Sequence, residues 1–253
     1  MIDLHTHLLP GVDDGAQSAE QALAVLRKFG EQGVTAVACT PHLKASEFDD
    51  APCAELDQML GELRARAPAS PRLVRGFEIM LDVPDPELGD PCLNIGATRY
   101  ALVEFGRLVP ADASVETMAR IVKRGVVPLL AHPERYAVCS VDTARRWRAA
   151  GARLQLDATT LIAESRRAER ARALFEAGLG DFVASDNHGD NRSMLAAVEW
   201  LERHGAGAQA ELMAVENPRR ILADEPMAPV PPLRLRRSWY SSLKAFIVGG
   251  DES

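Results

Sequence analysis

Histidines and carboxylates in this chain recur where apolar runs end. His5 and His7 close the first run, residues 1–4; His42 follows 36–39, His132 follows 126–131 and His188 follows 182–185. Side chains on a strand alternate between faces, so His5 and His7 share one face and can bind one divalent ion. An H-x-H pair alone is a weak signal, because two ordinary polar residues at a strand end look the same. The carboxylates strengthen it. Glu78 lies inside the mainly apolar stretch 74–81 and Glu104 inside 101–105. A carboxylate in an apolar strand is costly unless it is paired or bound to a cation. Asp186 and His188 add an oxygen and a nitrogen two positions apart. Asp13-Asp14-Gly15 reads either as turn chemistry before a helix or as an oxygen ligand brought over the site. Such a mixed set suits Mn, Fe or Zn, and ligand type alone does not choose among them.

Two arginines stand beside these groups. Arg135 follows His132-Pro133-Glu134 and Arg192 follows His188 by four residues. A guanidinium matches the oxygens of a phosphate or carboxylate in a planar fork, so Arg135 reads as an anion clamp or, more plainly, as a surface ion pair with Glu134. Arg192 sits where the next helix starts, an end whose dipole favours anions. Pointing at the site, it and the helix end would attract an anion together. Cys139 and Arg145 have the C-x5-R spacing of a thiol-dependent tyrosine phosphatase. The glycine-rich loop and the preceding strand of that motif are missing, so the segment is not read as catalytic. His204, near a helix end, reads as a surface residue or cap.

The elements that must position these residues alternate along the chain. Strands are predicted over 1–7, 36–39, 73–80, 100–105, 126–131, 153–156 and 182–185. Ser18 and Glu20 look like a helix start, with Ala22, Val25, Leu26 and Phe29 at helical spacing and Gly33 as the stop. Further helices are predicted around Leu56, Leu60 and Leu63, over 115–123, after Asp142 as a cap, and over 163–177. Seven strands in a βα rhythm predict one barrel-like domain, with chemistry at the carboxyl ends of its strands. An open doubly wound sheet would gather ligands at one switch point instead. Gly76 beside Glu78 fits a close backbone approach.

The chain has 253 residues and a net charge of −7, which argues against a general nucleic-acid binder. No apolar stretch is long enough for a membrane span, and Asp3 and His5 interrupt any signal-peptide pattern at the amino terminus. Cys39, Cys53, Cys92 and Cys139 show no paired spacing and read as cytosolic thiols. Pro226, Pro229, Pro231 and Pro232 break regular structure, and residues 233–240 are basic and aromatic. Residues 226–253 therefore read as a tail outside the domain 1–225. The tail is either a loosely packed terminus or a docking segment for a partner, a second protomer or an anionic membrane surface.

The motifs DLHTHLLPGVDDG, TPH, GFEI, VEF, AHPER and SDNH, in that order, resemble the PHP (polymerase and histidinol phosphatase) phosphoesterases. Within them the likeness is to the bacterial protein-tyrosine phosphatases of capsule and exopolysaccharide operons, and it runs from residue 1 to about 223. The resemblance implies an α/β fold, a distorted seven-stranded (β/α)7 TIM-like barrel. It implies three divalent ions, with Mn the first choice and Fe, Zn or Mg as alternatives. One would be held by His5, His7, Glu78 and Asp186, a second by Glu78, Glu104 and His132, and a third by Asp14, His42 and His188. Asp14 is preferred to Asp13 because the family aspartate usually precedes the glycine. Arg135 and Arg192 match phosphate-binding arginines. The activity implied is metal-dependent hydrolysis of phosphotyrosine in the cytoplasm, on a protein such as a bacterial tyrosine kinase that regulates capsule synthesis. A histidinol-phosphatase activity or a low-activity metal-binding regulatory module are the competing functions.

Overall fold

Nine short strands carry the architecture of the computed structural model, which describes residues 1–235. They are β1 (Ile2–Thr6), β2 (Ala36–Cys39), β3 (His42–Lys44), β4 (Arg72–Arg75), β5 (Glu78–Met80), β6 (Tyr100–Glu104), β7 (Val127–Leu130), β8 (Arg153–Asp157) and β9 (Phe182–Ala184). Every pairing is parallel. Two sheets result, one ordered β1-β2-β4 and the other β3-β5-β6-β7-β8-β9. The predicted third strand is thus broken at Gly76-Phe77. The second is followed, across Thr40-Pro41, by β3 in the other sheet. Proline has no N–H for a ladder, which accounts for one break. At the other, a Cβ on Gly76 would come within 3.1 Å of Thr40 Cγ2 and 3.3 Å of Ile95 Cγ1, so any side chain there would crowd both neighbours.

The seven-stranded barrel expected from the sequence is therefore realised only as an α/β fold of parallel sheets. Among the described residues no ladder closes a barrel. The segment after β9 meets β1 at the isolated bridge Thr6–Asn187, where the His7 N–H donates to the Asn187 carbonyl at 2.7 Å and the Asp186 N–H to the His5 carbonyl at 3.0 Å. An apolar cluster nevertheless joins both sheets: Leu4 and Ala38 pack with Leu102, Leu129, Phe182 and Ala184. A larger core lies between the sheets and the helices.

Ser18 caps α1 (Ala19–Glu31), its side chain accepting from the Gln21 N–H, and the helix buries Ala22, Val25, Leu26 and Phe29 as the spacing predicts. α2 (Cys53–Arg66) buries Leu56, Leu60 and Leu63. α3 (Ala111–Lys123) starts four residues before the predicted 115. Ser140, and not Asp142, caps α4 (Val141–Ala149), because its hydroxyl reaches the Thr143 N–H. The helix predicted over 163–177 is α6 (Arg166–Glu176), capped by Ser165, and a short helix that was not predicted, α5 (Ala158–Ile162), capped by Asp157, precedes it. α7 (Leu195–Arg203), α8 (Gly207–Glu211) and α9 (Asn217–Leu222) follow β9. His204 caps α7, its ring bonded to the Trp200 carbonyl at 2.7 Å.

Two further expectations change. Cys53 and Cys92 are not separate thiols: the fold pairs them as a disulfide, with Cα atoms 6.2 Å apart. Cys39 and Cys139 are free and buried. The first ten residues of the expected tail, 226–235, form no regular element but pack on the domain. The Asn217 amide brackets Ala228, donating to its carbonyl at 3.0 Å and accepting from its N–H at 2.8 Å, and Val230 is buried. The rest of the tail, with Trp239 and Tyr240, lies outside the described residues.

Candidate metal centre

Parallel strands bring their carboxyl ends to one edge, and the predicted residues gather there. His5 is the penultimate residue of β1 and His7 follows that strand; Glu104 ends β6; His132 follows β7; Asp186 and His188 follow β9. His42 and Glu78 open β3 and β5, where they are paired in register. They reach the same edge because the breaks at Pro41 and Gly76 start new strands there. His132 (φ 33°) and Asp186 (φ 51°) adopt left-handed backbone, which costs energy for residues with a Cβ and persists only where the surroundings hold it. Gly15 is required for packing: a Cβ there would lie 2.1 Å from the His7 carbonyl.

Glu78 is the centre of the cluster. Its Oε2 lies 3.1 Å from His5 Nε2, 3.2 Å from His7 Nε2 and 3.1 Å from His42 Nδ1, while its Oε1 lies 2.8 Å from His132 Nε2. Asp186 Oδ1 faces His5 Nε2 at 3.2 Å and His7 Nε2 at 3.4 Å. Asp14 Oδ1 lies between His42 Nε2 at 3.3 Å and His188 Nε2 at 3.4 Å. Ligand atoms converge in three groups: His5, His7, Glu78 and Asp186; His7, Asp14, His42 and His188; and His42, Glu78 and Glu104. The third group takes His42 where the family likeness implied His132. His132 still reaches Glu104, at 3.9 Å.

The outer ring nitrogens decide what the inner ones offer. His5 Nδ1 meets the Gln155 carbonyl oxygen at 2.8 Å, His7 Nδ1 meets Asp13 Oδ2 at 2.6 Å, and His188 Nδ1 meets the Asp186 carbonyl at 2.9 Å. Each partner accepts only, so each Nδ1 carries the hydrogen. In the neutral form of each ring, the form that binds a metal, the Nε2 lone pair then faces inward. This is how metal-binding histidines are oriented by the groups behind them. It also separates the two aspartates left open by the loop sequence: Asp13 supports His7 and Asp14 faces the cluster. Gln155 was missed in the sequence. Its signal is the one that marked Glu78, a polar residue between apolar neighbours in a strand.

Buried negative charge dominates the electrostatics. Burial alone would keep His5 and His7 neutral. Glu78 and Asp186 overturn that for His5, pushing its pKa up to about 9. Asp13, Asp186 and Glu78 do the same for His7, up to about 11. Burial raises both carboxylates, but the imidazoles win: His5 holds Glu78 well below the usual range, and His5 and His7 do the same for Asp186. Glu104 goes the other way, to about 7, because burial and then the Glu78 charge disfavour its ionisation. Burial lowers His132 and His188. Asp186 Oδ1 and His132 Nδ1 are buried with no hydrogen-bond partner among the described residues. A cation fits this set: it offers the carboxylates a counter-charge and takes the inward lone pairs.

Arg135 and Arg192 border the cluster through its far side. Arg135 pairs with Asp157 and with Asp186 Oδ2, and Arg192 lies 3.4 Å from the same oxygen and 2.8 Å from Asp190. The expected pairing of Arg135 with Glu134 is absent; Glu134 is buried and accepts from the Asp157 N–H.

The family described as "Capsular polysaccharide synthesis, CpsB/CapC" matches residues 1–223. The chain belongs to that family. Curated relatives span almost their whole length. They include the tyrosine-protein phosphatase CpsB of Streptococcus pneumoniae, 28% identical over 89% of this chain and 99% of the relative, and the tyrosine-protein phosphatase YwqE of Bacillus subtilis, 27% identical over 94% and 97%. A crystal structure from work on YwqE and CpsB, described as unique metal-dependent tyrosine phosphatases, superposes with a TM-score of 0.79 at 26% identity, covering 94% of this chain and all of the other. An organophosphorus hydrolase variant from Deinococcus radiodurans, at TM-score 0.52 and 13% identity over 87% of this chain and 92% of its own, shares the fold alone.

Proposed function

We propose that this protein is a metal-dependent protein-tyrosine phosphatase, acting in the cytoplasm on a tyrosine-phosphorylated protein such as a bacterial kinase that regulates capsule synthesis. The observation that carries the chemistry is the convergence of imidazole nitrogens and carboxylates around Glu78, with Asp186 Oδ1 facing His5 and His7 but making no hydrogen bond among the described residues. The family and its relatives' activity supply the substrate class. In this reading His5, His7, Glu78 and Asp186 hold one ion, Asp14, His42 and His188 another, and Glu78 and Glu104 with His42 or His132 a third. Mn is the first choice of metal. Divalent ions bound there would make water nucleophilic at neutral pH and neutralise charge on the phosphoryl group.

The chain's own residues do the rest. Gln155 and Asp13 hold the His5 and His7 rings with Nε2 inward. Arg135 and Arg192 orient the phosphoryl oxygens and share their charge between the substrate and Asp186. Tyrosine leaves as a phenolate of pKa about 10, so little general-acid help is needed. We read the two sheets as one distorted seven-stranded barrel, supported by the Thr6–Asn187 bridge and the apolar cluster common to both. Residues 1–225 are its catalytic unit. The tail from 226 is read as a peripheral contact segment; among the described residues no helix is long and apolar enough to cross a membrane.

Chelation followed by Mn²⁺ addition tests this reading. Phosphotyrosine peptide hydrolysis should vanish with the metal and return with it. Full activity in a sample shown metal-free by elemental analysis would overturn the proposal.

A further inference from the structure

We infer that the arginine-lined groove beside the metal centre binds acidic residues flanking the phosphotyrosine of a peptide substrate. This inference rests on the phosphatase reading of the neighbouring site. A cavity of about 470 Å³ is lined by Arg107, Arg135, Arg166, Arg167 and Arg170, with Leu108 at its rim. Arg135 belongs to both places: it pairs with Asp186 of the cluster and it lines the cavity. The other arginines come from elements near the same sheet edge. Arg107 lies in the loop after Glu104, and Arg166 and Arg167 begin α6. The Ala137 N–H donates to the Arg107 carbonyl at 2.9 Å, which ties that loop to the turn carrying Arg135.

Three observations point to an anionic peptide. First, among the described residues no carboxylate pairs with Arg107, Arg166 or Arg167, although Glu164 and Glu169 are close in sequence. Arg170 is spent on the Tyr136 carbonyl, at 3.0 Å, and helps to shape the wall. Second, Arg166 and Arg167 occupy the first turn of α6, where the helix dipole disfavours cations. A locally unfavourable placement beside a candidate active site is expected where a ligand supplies the missing negative charge. Third, the groove continues. A second cavity, of about 610 Å³, shares Arg166 and Arg167 and is lined by Thr159, Thr160 and Ser165. Leu108, 85% exposed, offers an apolar contact at the rim. An extended peptide leaving the metal centre would meet a guanidinium wall and then hydroxyls.

The protein's net charge is −7, so a long polyanion is repelled at distance. Short acidic segments within about one Debye length of ~8–10 Å feel the arginines instead.

The test uses the metal-loaded full-length protein and three phosphotyrosine peptides of one length. One has Asp/Glu flanks, one has Asn/Gln flanks, and one carries a second phosphotyrosine in place of the acidic flank. Binding is read by fluorescence anisotropy and turnover by phosphate release. The acidic peptide should bind about 5- to 10-fold more tightly than the neutral one, with the advantage shrinking as salt rises. In Arg166→Gln/Arg167→Gln, and separately in Arg107→Gln, that ratio should fall toward one. Stronger preference for the doubly phosphorylated peptide would identify a second phosphate as the anion bound. Equal binding of acidic and neutral peptides by the unaltered protein overturns the inference, and needs no variant to fold. Acidic preference in binding without turnover of any peptide would instead sink the phosphatase reading and leave the groove assignment standing.

Discussion

His5, His7, His42 and His188 converge on carboxylates at one edge of the parallel sheets, whereas Cys139 and Arg145, spaced like the pair of a thiol phosphatase, turn apart. Arg145 is mostly exposed and bonded to Asp142 within its own helix. The Cys139 thiol is buried, and burial pushes its pKa up to about 12, so it holds no thiolate at neutral pH. Both regions fit a phosphatase pattern on paper. Only the first places charged groups where a phosphoryl group and its counter-ions have partners. A spacing pattern marks chemistry only when the backbone aims its members at one point.

Replacing Glu78 should be the most damaging change. Its carboxylate touches four imidazoles, so Glu78→Gln should lower turnover on the order of 10³-fold and reduce bound metal. Wild-type activity in a variant shown by elemental analysis to retain full metal would break the comparison at its centre.

The arginines should come next. Arg192→Ala should keep metal but lose about 2–4 kcal/mol of transition-state stabilisation, roughly 30- to 1000-fold in rate. Arg135→Ala should lose as much and also loosen metal, because it braces Asp186. Lysine should rescue either only partly, lacking the planar fork. Steady-state kinetics beside metal content separates these outcomes; unchanged rates in both alanine variants would remove the arginines from the phosphate site.

Asp13→Asn sharpens the picture at the support behind the cluster. The His7 ring would lose its anionic partner, and metal affinity should weaken about 10- to 100-fold. Turnover measured at saturating Mn²⁺ should recover much of the loss. A deficit that added metal leaves untouched would mean Asp13 has a different task.

Cys139→Ser should change least, by less than about twofold in rate, since the residue is a small buried group away from the cluster. An inactive but folded and metal-loaded Cys139→Ser protein would reverse the comparison altogether.

Much of the candidate site was legible because its residues break local rules. Glu78 and Glu104 are carboxylates in apolar strands, and His5-Thr6-His7 repeats at strand period, so all three stand out without any fold. The α1 helix was legible for the same local reason, a serine cap followed by apolar residues at helical spacing. Features set by distant contacts were not. Gly76 is crowded by Thr40 and Ile95, residues distant in the chain that no local pattern brings together. Cys53 and Cys92 lie 39 residues apart, a separation that no spacing rule pairs.

The sequence by itself determined the candidate ligands on offer, the βα alternation and the absence of a thiol phosphatase loop, because these depend on residue type and short-range period. Tertiary structure alone decided that Asp14 faces the cluster while Asp13 supports His7, that His42 joins Glu78 and Glu104, and that both arginines lean on Asp186. The left-handed backbone at His132 and Asp186 belongs to the same class. In each case the decision turns on a few ångströms between residues far apart in the chain, and those distances are set by the packing of the sheets.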